Sequence, residues 1–252
     1  MIRNICYQVA FWLYLLIILP EEWGVRRMFK TGDRREARRR AIERAQHWAA
    51  FCVRRTGSTV KVHGKVALAE GQGALFVGNH QGSFDIPLLI AFMGHPIAFI
   101  AKIELRKVPL VGAWMEHIGC LFLDRGDKRQ AVALMREATS ALQEGYSLVI
   151  YPEGTRSNSH EMAPFKSGSV NLAIRAGVPI IPFTINHTWK MRDMRHGGIH
   201  PTQIELFIGD PIPTEGLGKE AKDGLTERVR ERIAAHLLMP DGQPQFPELR
   251  AE

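Results

Sequence analysis

A histidine and an aspartate five residues apart are the residues best suited to do chemistry in this sequence. His80 and Asp85 lie in the segment GNHQGSFD, residues 78–85, between apolar runs at 74–77 and 86–93. A strand, a glycine-containing turn and a helix predict a site at the carboxyl end of a strand. The turn lets Asp85 hold one ring nitrogen of His80 while the other faces outward. An imidazole held in this way can act as a general base.

A purely structural role would account for either residue alone. Ser83 or Asp85 can cap the following helix, with Pro87 tolerated in its first turn. His80 can equally be a turn residue whose hydrogen bonds are satisfied. The other segments of the chain decide between these interpretations.

The composition favours one α/β domain with an anionic partner. The chain has 252 residues, of which 45% are hydrophobic, and this suits one domain with at most a short appendage. The net charge of +7 indicates nucleic acid, anionic lipid or a phosphorylated metabolite as a partner. The ten histidines lack ligand spacing, so no metal is predicted. The three cysteines are far apart, which favours a reducing compartment.

Residues 1–55 predict a membrane-associated helical element. Residues 5–19 are almost unbroken apolar sequence. As a helix they would reach roughly 22 Å, short of the roughly 30 Å hydrocarbon core. Arg3 is a thin positive region for a signal peptide, and residues 20–23 offer no small-residue cleavage site. We therefore expect a retained helix that dips into the membrane, rather than a cleaved signal or a full span.

A dense run of arginine follows at residues 26–55. A helix capped by Asp33 would place small or apolar residues on one face, namely Ala37, Ala41, Ala45, Trp48, Ala49 and Cys52. A basic amphipathic helix beside an apolar anchor is typical of contact with anionic headgroups, here on the cytoplasmic face of the cell membrane. A solvated charged face is the alternative. Nucleic acid is disfavoured because the arginines lack interleaved stacking aromatics.

Residues 56–252 alternate between strand-like and helix-like segments. Strand-like runs lie at residues 74–77, 97–101, 120–123, 147–151, 178–186 and 203–208. Helical periodicity occurs at residues 86–93, 128–144, 169–176 and 224–238. This alternation predicts a central sheet with helices packed on it.

Two arginines stand at the ends of predicted strands. Arg125 closes the segment GCLFLDR, and Arg156 lies in YPEGTRS at residues 151–157. Strand ends of one sheet converge on one cleft, so Arg125, Arg156 and His80 can share a pocket. Either arginine alone is more often a surface ion pair. Together they describe a base beside a phosphate cradle, because guanidinium groups bind phosphate in bidentate fashion.

Taken together, these segments resemble the glycerolipid acyltransferase family, typified by 1-acylglycerol-3-phosphate acyltransferases. The family's His-x4-Asp block matches residues 79–85, and its second block is similar to 119–125. Its third block resembles 151–157 with FKSG at 165–168, and its fourth resembles VPIIPF at 178–183. A further family segment matches Lys102, Glu104, Pro109 and Gly112.

The resemblance implies a central mixed sheet flanked by helices and an enzyme that makes phosphatidic acid. His80 would remove the proton of the sn-2 hydroxyl of a lysophosphatidic acid, and Asp85 would orient the imidazole. The donor would be an acyl thioester of acyl carrier protein or coenzyme A, so neither a covalent acyl-enzyme nor a cofactor is implied. The implied substrate-binding residues are Lys102 and Arg125, then Glu153, Gly154, Thr155 and Arg156. In this scheme the arginines and Lys102 hold the phosphate, Glu153 contacts the glycerol, and backbone N–H groups near Gly154 stabilise the oxyanion.

Three alternatives remain open. The chain could acylate another lysolipid, such as a lyso-ornithine lipid, or it could hydrolyse acyl thioesters. It could also bind anionic membranes or nucleic acid through residues 26–55 without catalysis, in which case His80→Ala would change nothing. The sequence does not indicate the donor, the chain length or the oligomeric state.

Overall fold

The computed structural model describes residues 2–124, 126–166, 168–192, 198–217 and 223–250. Its strands are β1 (Thr59–His63), β2 (Leu75–Gly78), β3 (Ala98–Lys102), β4 (Leu121–Leu123), β5 (Leu148–Ile150), β6 (Ile180–Asn186) and β7 (Gln203–Ile208).

Within these ranges seven strands form one sheet in the order β1-β7-β6-β2-β5-β3-β4. The strands from β2 to β6 are parallel, β7 is antiparallel to β6, and β1 is parallel to β7. The sheet is therefore mixed, which confirms the predicted fold class.

Helices flank this sheet. They are α1 (Ile2–Ile17), α2 (Leu19–Thr31), α3 (Arg34–Arg55), α4 (Asp85–Phe92), α5 (Val111–His117), α6 (Lys128–Gln143), α7 (Asn171–Ala176) and α8 (Leu225–Ala234). Short 3-10 helices lie at Ile103–Lys107, Thr188–Met191 and Pro247–Arg250. α3 packs against α4 and α5, whereas α6 packs against α7.

The central strands read as continuous apolar runs because the sheet is covered on both faces. Every residue of β2 and β6 is buried. Their carboxyl ends, with those of β3 and β5, lie at one edge of the sheet. The side chain of Asn79 joins two of these ends: its Nδ2 donates to the carbonyl of Ile185, and its Oδ1 accepts from the N–H of the same residue, both at 2.8 Å.

The N-terminal helices α1 and α2 meet at a bend of 45°. Among the described residues, no single helix is long and apolar enough to cross a membrane. The bent pair meets that test together, by length and composition only.

The residues predicted to share one face of α3 do share a face, and that face packs inside the protein. Five of the predicted residues are buried, and Trp48 is partly buried; the buried ones are Ala37, Ala41, Ala45, Ala49 and Cys52. Asp33 stands at the N-cap of α3, but its side chain makes no capping hydrogen bond. Buried apolar side chains from Leu15 to Ile233 form one cluster. The proposed boundary between residues 55 and 56 stays a prediction.

Candidate active site

The imidazole of His80 is fixed by the carboxylate of Asp85. Nδ1 of His80 lies 2.7 Å from Oδ2 of Asp85, and the carboxylate is fully buried. A buried carboxylate accepts hydrogen bonds, so Nδ1 carries the proton and Nε2 is free to take one. Within the described part of the chain, Nε2 of His80 has no hydrogen-bond partner. The side chain of His80 is 17% exposed, enough for a substrate to reach it.

Asp85 organises the turn before α4 rather than capping that helix. Its Oδ2 also accepts from the N–H groups of Gln81 at 2.7 Å and Gly82 at 2.9 Å. Its Oδ1 accepts from the hydroxyl of Thr188, which follows β6. The N-cap of α4 is Phe84, without a side-chain capping bond, so the expectation that Ser83 or Asp85 caps α4 was wrong. The carboxylate turns back to the loop instead.

The carboxylate of Glu153 holds the backbone of His80. Its Oε1 accepts from the backbone N–H of His80 at 2.6 Å, and its Oε2 accepts from that of Ala163 at 2.7 Å. Burial raises the pKa of the Glu153 carboxyl. The carboxylate is absent from the wall of the cavity beside His80. The structure thus places Glu153 under the turn, whereas the sequence suggested a contact with the glycerol.

The third block of the sequence is tied to the first. The N–H of Ser157 donates to the carbonyl of His80 at 2.8 Å, and that of Asn158 donates to the carbonyl of Gln81 at 3.1 Å. Two residues to which the sequence analysis assigned no role complete the site: Thr188 and Tyr151. Tyr151 directly follows β5, and Thr188 comes shortly after β6, at the same edge of the sheet. This position after a strand was the signal available in the sequence.

A cavity of about 760 Å³ opens beside His80. Its polar wall includes Lys102, Thr155 and Arg156. Its deeper wall lies between α1, α3, α4 and α5 and is apolar, with side chains such as Phe11, Leu15, Trp48, Ile90, Phe99 and Trp114. A volume of this size fits a small-molecule site, which is usually a few hundred to about 1,000 Å³. A second cavity of about 810 Å³ lies along α6 and includes neither His80 nor Arg156.

The predicted phosphate-binding residues are only partly brought together. Arg156 is exposed and shares the cavity with His80. Lys102 also lines it, but its Nζ lies 2.8 Å from Oε1 of Glu104, and both side chains are more than half exposed. An exposed pair of this kind contributes little to stability, so a phosphate can replace the carboxylate. Arg125 lies outside the described residues.

The turn at Gly154 favours glycine, because its φ is +75°. The N–H of Gly154 donates to the carbonyl of Tyr151 at 3.0 Å, so this amide is engaged in the turn. The next two amides, of Thr155 and Arg156, have no acceptor among the described residues.

A family model described as Acyltransferase matches residues 59–186. The chain is 31% identical over 180 residues to 1-acyl-sn-glycerol-3-phosphate acyltransferase of Saccharomyces cerevisiae, covering 70% of this chain and 59% of that protein. It is 31% identical over 178 residues to the human 1-acyl-sn-glycerol-3-phosphate acyltransferase alpha, covering 70% and 63%. The match therefore spans less than two thirds of the length of either relative.

A solved structure is similar over the full chain. It is the crystal structure of the 1-acyl-sn-glycerophosphate (LPA) acyltransferase PlsC from Thermotoga maritima, with a TM-score of 0.78 and 28% identity. The likeness covers 100% of this chain and 98% of that one. The shared fold is the mixed sheet flanked by helices. The matched family model covers more than half of the sequence, and the chain therefore belongs to the Acyltransferase family.

Proposed function

We propose that this protein transfers a fatty acyl group from an acyl thioester to the sn-2 hydroxyl of 1-acylglycerol-3-phosphate, giving phosphatidic acid. The observation that carries the proposal is the position of His80, held by Asp85 where an apolar cavity meets a basic rim. The yeast and human relatives are named for the same acceptor, which supports this choice.

In the proposed reaction, Nε2 of His80 accepts the proton of the acceptor hydroxyl while the oxygen attacks the thioester carbonyl carbon. The tetrahedral intermediate then breaks its C–S bond, and His80 returns the proton to the departing sulfur. A thioester is already activated, so no covalent acyl-enzyme is needed. General-base assistance contributes about 10²–10⁴ in rate. The charge of Asp85 stabilises the imidazolium that forms in between.

Two groups of hydrogen-bond donors complete the proposed scheme. Arg156 and Lys102 hold the acceptor phosphate, with Lys102 exchanging its contact with Glu104 for one with phosphate. The N–H groups of Thr155 and Arg156 stabilise the oxyanion, because the N–H of Gly154 is already used in the turn. The acyl chain of the donor occupies the apolar part of the cavity, where each buried methylene contributes about 0.8 kcal/mol.

We further propose that α1 lies in the membrane interface. One face of α1 lines the cavity with Phe11 and Leu15. The opposite face leaves large apolar side chains exposed, namely Ile5, Val9, Leu13, Leu16 and Ile17. Such a patch on a helix favours lipid contact. The mouth of the cavity then opens where a lysolipid resides.

Anionic headgroups would meet only part of the arginine run. Arg39 and Arg40 pair with Glu36, and Arg44 pairs with Glu21. Other arginines have no carboxylate partner within the described ranges, and they remain for lipid phosphates on the cytoplasmic face: Arg26, Arg27, Arg34, Arg35, Arg54 and Arg55.

The test is product identification by mass spectrometry. Purified protein is given acyl-coenzyme A or acyl carrier protein thioester, with lysophosphatidic acid or lyso-ornithine lipid as acceptor. We expect phosphatidic acid as the product. We also expect Arg156→Gln to raise the KM for lysophosphatidic acid at least about tenfold, since a charge-assisted contact contributes about 1.5–3 kcal/mol. Acylation of lyso-ornithine lipid alone, or equal thiol release without any acceptor, would overturn the proposal.

A further inference from the structure

We propose that Tyr151 is a positioning residue for His80. The ring of Tyr151 fixes the plane of the imidazole and stabilises the imidazolium formed during proton transfer. This inference rests on the proposed function, in which His80 is the general base. Tyr151 belongs to the third sequence block, but neither that block nor the matched names assign it a task.

The two rings are stacked face to face. Their centroids are 3.9 Å apart and their planes differ by 11°. The register of the sheet produces this contact, because Val77 of β2 pairs with Ile150 of β5. The residue after β5 is thus carried beside the turn that holds His80.

Tyr151 also contacts a second aromatic ring. Its ring meets that of Phe183 on β6 edge to face, with centroids 6.1 Å apart. Phe183 in turn lies against Gly78, where a Cβ would come 2.2 Å from its ring. The series from Gly78 through Phe183 and Tyr151 to His80 leaves the imidazole little room to tilt.

The hydroxyl of Tyr151 is not what the site uses. It is buried and has no hydrogen-bond partner among the residues that the structure describes. Burial, together with the charge of Asp85, holds the pKa of Tyr151 well above its usual value, so the side chain stays neutral. What Tyr151 offers His80 is an aromatic face.

The aromatic face of Tyr151 restricts the tilt of the imidazole, which the hydrogen bond to Asp85 does not. One hydrogen bond at Nδ1 holds one atom of the ring, and the imidazole can still tilt about that bond. A parallel ring defines the plane, so Nε2 stays aimed at the cavity. The electron-rich face of the ring also attracts the positive imidazolium more strongly than the neutral imidazole. Stabilisation that grows as the charge forms increases kcat.

The test compares Tyr151→Phe with Tyr151→Leu in steady-state kinetics. Phe keeps the face and removes the unused hydroxyl, whereas Leu removes the face. We expect Tyr151→Phe to keep kcat within about twofold. We expect Tyr151→Leu to lower kcat about tenfold, in line with a cation–π contact, with the KM for both substrates little changed. Phe76→Leu is the matched control, because Phe76 is a buried ring on β2 stacked on His95 instead. It should lower Tm while kcat stays near wild type.

A second readout does not depend on activity. The ring protons of His80 should give NMR signals displaced by the Tyr151 ring current in wild type and Tyr151→Phe, but not in Tyr151→Leu. If Tyr151→Leu does not fold, Tyr151→Met takes its place with the same expected result. A wild-type kcat in the Leu or Met variant would overturn the inference, as would equal losses in Phe and Leu. Loss of the proposed function is distinct: it would appear as an inactive wild type or an active His80→Ala.

Discussion

Two buried carboxylates hold His80, and each acts on a different part of the residue. Asp85 accepts from the ring, whereas Glu153 accepts from the backbone N–H. The contact with Asp85 determines which ring nitrogen of His80 is free. The contact with Glu153 determines where the turn lies. The turn joins β2 to α4 through residues that belong to neither element.

Glu153→Gln tests the backbone contact. An amide has one acceptor oxygen, so either the N–H of His80 or that of Ala163 loses its acceptor, and a buried unsatisfied donor costs about 1–3 kcal/mol. We expect a lower Tm and a lower kcat, with little change in the KM for lysophosphatidic acid. Steady-state kinetics with varied acceptor would measure this. A higher KM with an unchanged kcat would instead support the contact with glycerol that the sequence suggested.

The cysteines allow a second test at this scale. Cys52 and Cys120 line the cavity, and burial raises the pKa of each thiol to about 12. Cys6 is exposed. The thiolate is the reactive form, so at pH 7.5 alkylation should modify Cys6 alone. Mass spectrometry of the folded protein should find one adduct, and none in Cys6→Ser. Rapid addition of two or three adducts to the folded protein would contradict the described packing.

The sequence was sufficient for His80 and Asp85 because both lie on one short turn. The other contacts could not be predicted in this way. Glu153 and Thr188 are 73 and 103 residues from their partners, and they arrive through the register of β2 with β5 and β6. Local spacing carries no information about that register.

Among the elements, α1 stands out because it is apolar on two faces. Its inner face closes the cavity and its outer face is exposed. A helix that packed only on the domain would place polar residues on the outside. This is the strongest structural support for the predicted membrane association.

Charge substitutions on the outer face of α1 test that prediction. Val9 is 60% exposed, so Val9→Glu should leave the fold intact. It should weaken binding to anionic vesicles about tenfold or more, because a carboxylate enters the lipid-facing patch. Vesicle co-sedimentation would measure it. Val132→Glu is the matched control, since Val132 is 57% exposed but lies on α6. Equal vesicle binding by the two variants would contradict the assignment.

The elements that the sequence analysis missed have weak local signals. β1 is an edge strand with mostly exposed residues, so it lacks the apolar run that identified β2 and β6. α5 has seven residues and contains Gly112. A Cβ at Gly112 would lie 2.2 Å from the carbonyl oxygen of Arg106, so glycine is required by a contact outside the helix. Tertiary packing, rather than local propensity, determines both elements.

At the scale of the whole molecule, three buried or partly buried histidines couple stability to pH. Burial lowers the pKa of His95, His187 and His236 below 6.5. As the pH falls below about 6.5, the unfolded chain takes up protons before the folded protein does, so stability decreases. Glu153 acts in the opposite direction, because burial raises its pKa and the folded state binds that proton more tightly as the pH falls towards 4.5.

Three histidines oppose the single carboxyl of Glu153, and the pH range in which they act lies nearer to neutrality. We therefore expect a lower Tm at pH 5.5 than at pH 7.5 in thermal unfolding followed by circular dichroism. His236→Gln should reduce this difference, since its side chain does not titrate in the window. A Tm that rises between pH 7.5 and pH 5.5 would show that the histidines do not control stability.

His80 is proposed to be the base of an acyl transfer to a lysolipid. The most direct measurement is thiol release from an acyl thioester, with and without lysophosphatidic acid, for wild type and His80→Ala. We expect release that requires the acceptor and falls at least about 10²-fold in His80→Ala. Release that persists at the wild-type rate in His80→Ala would contradict it.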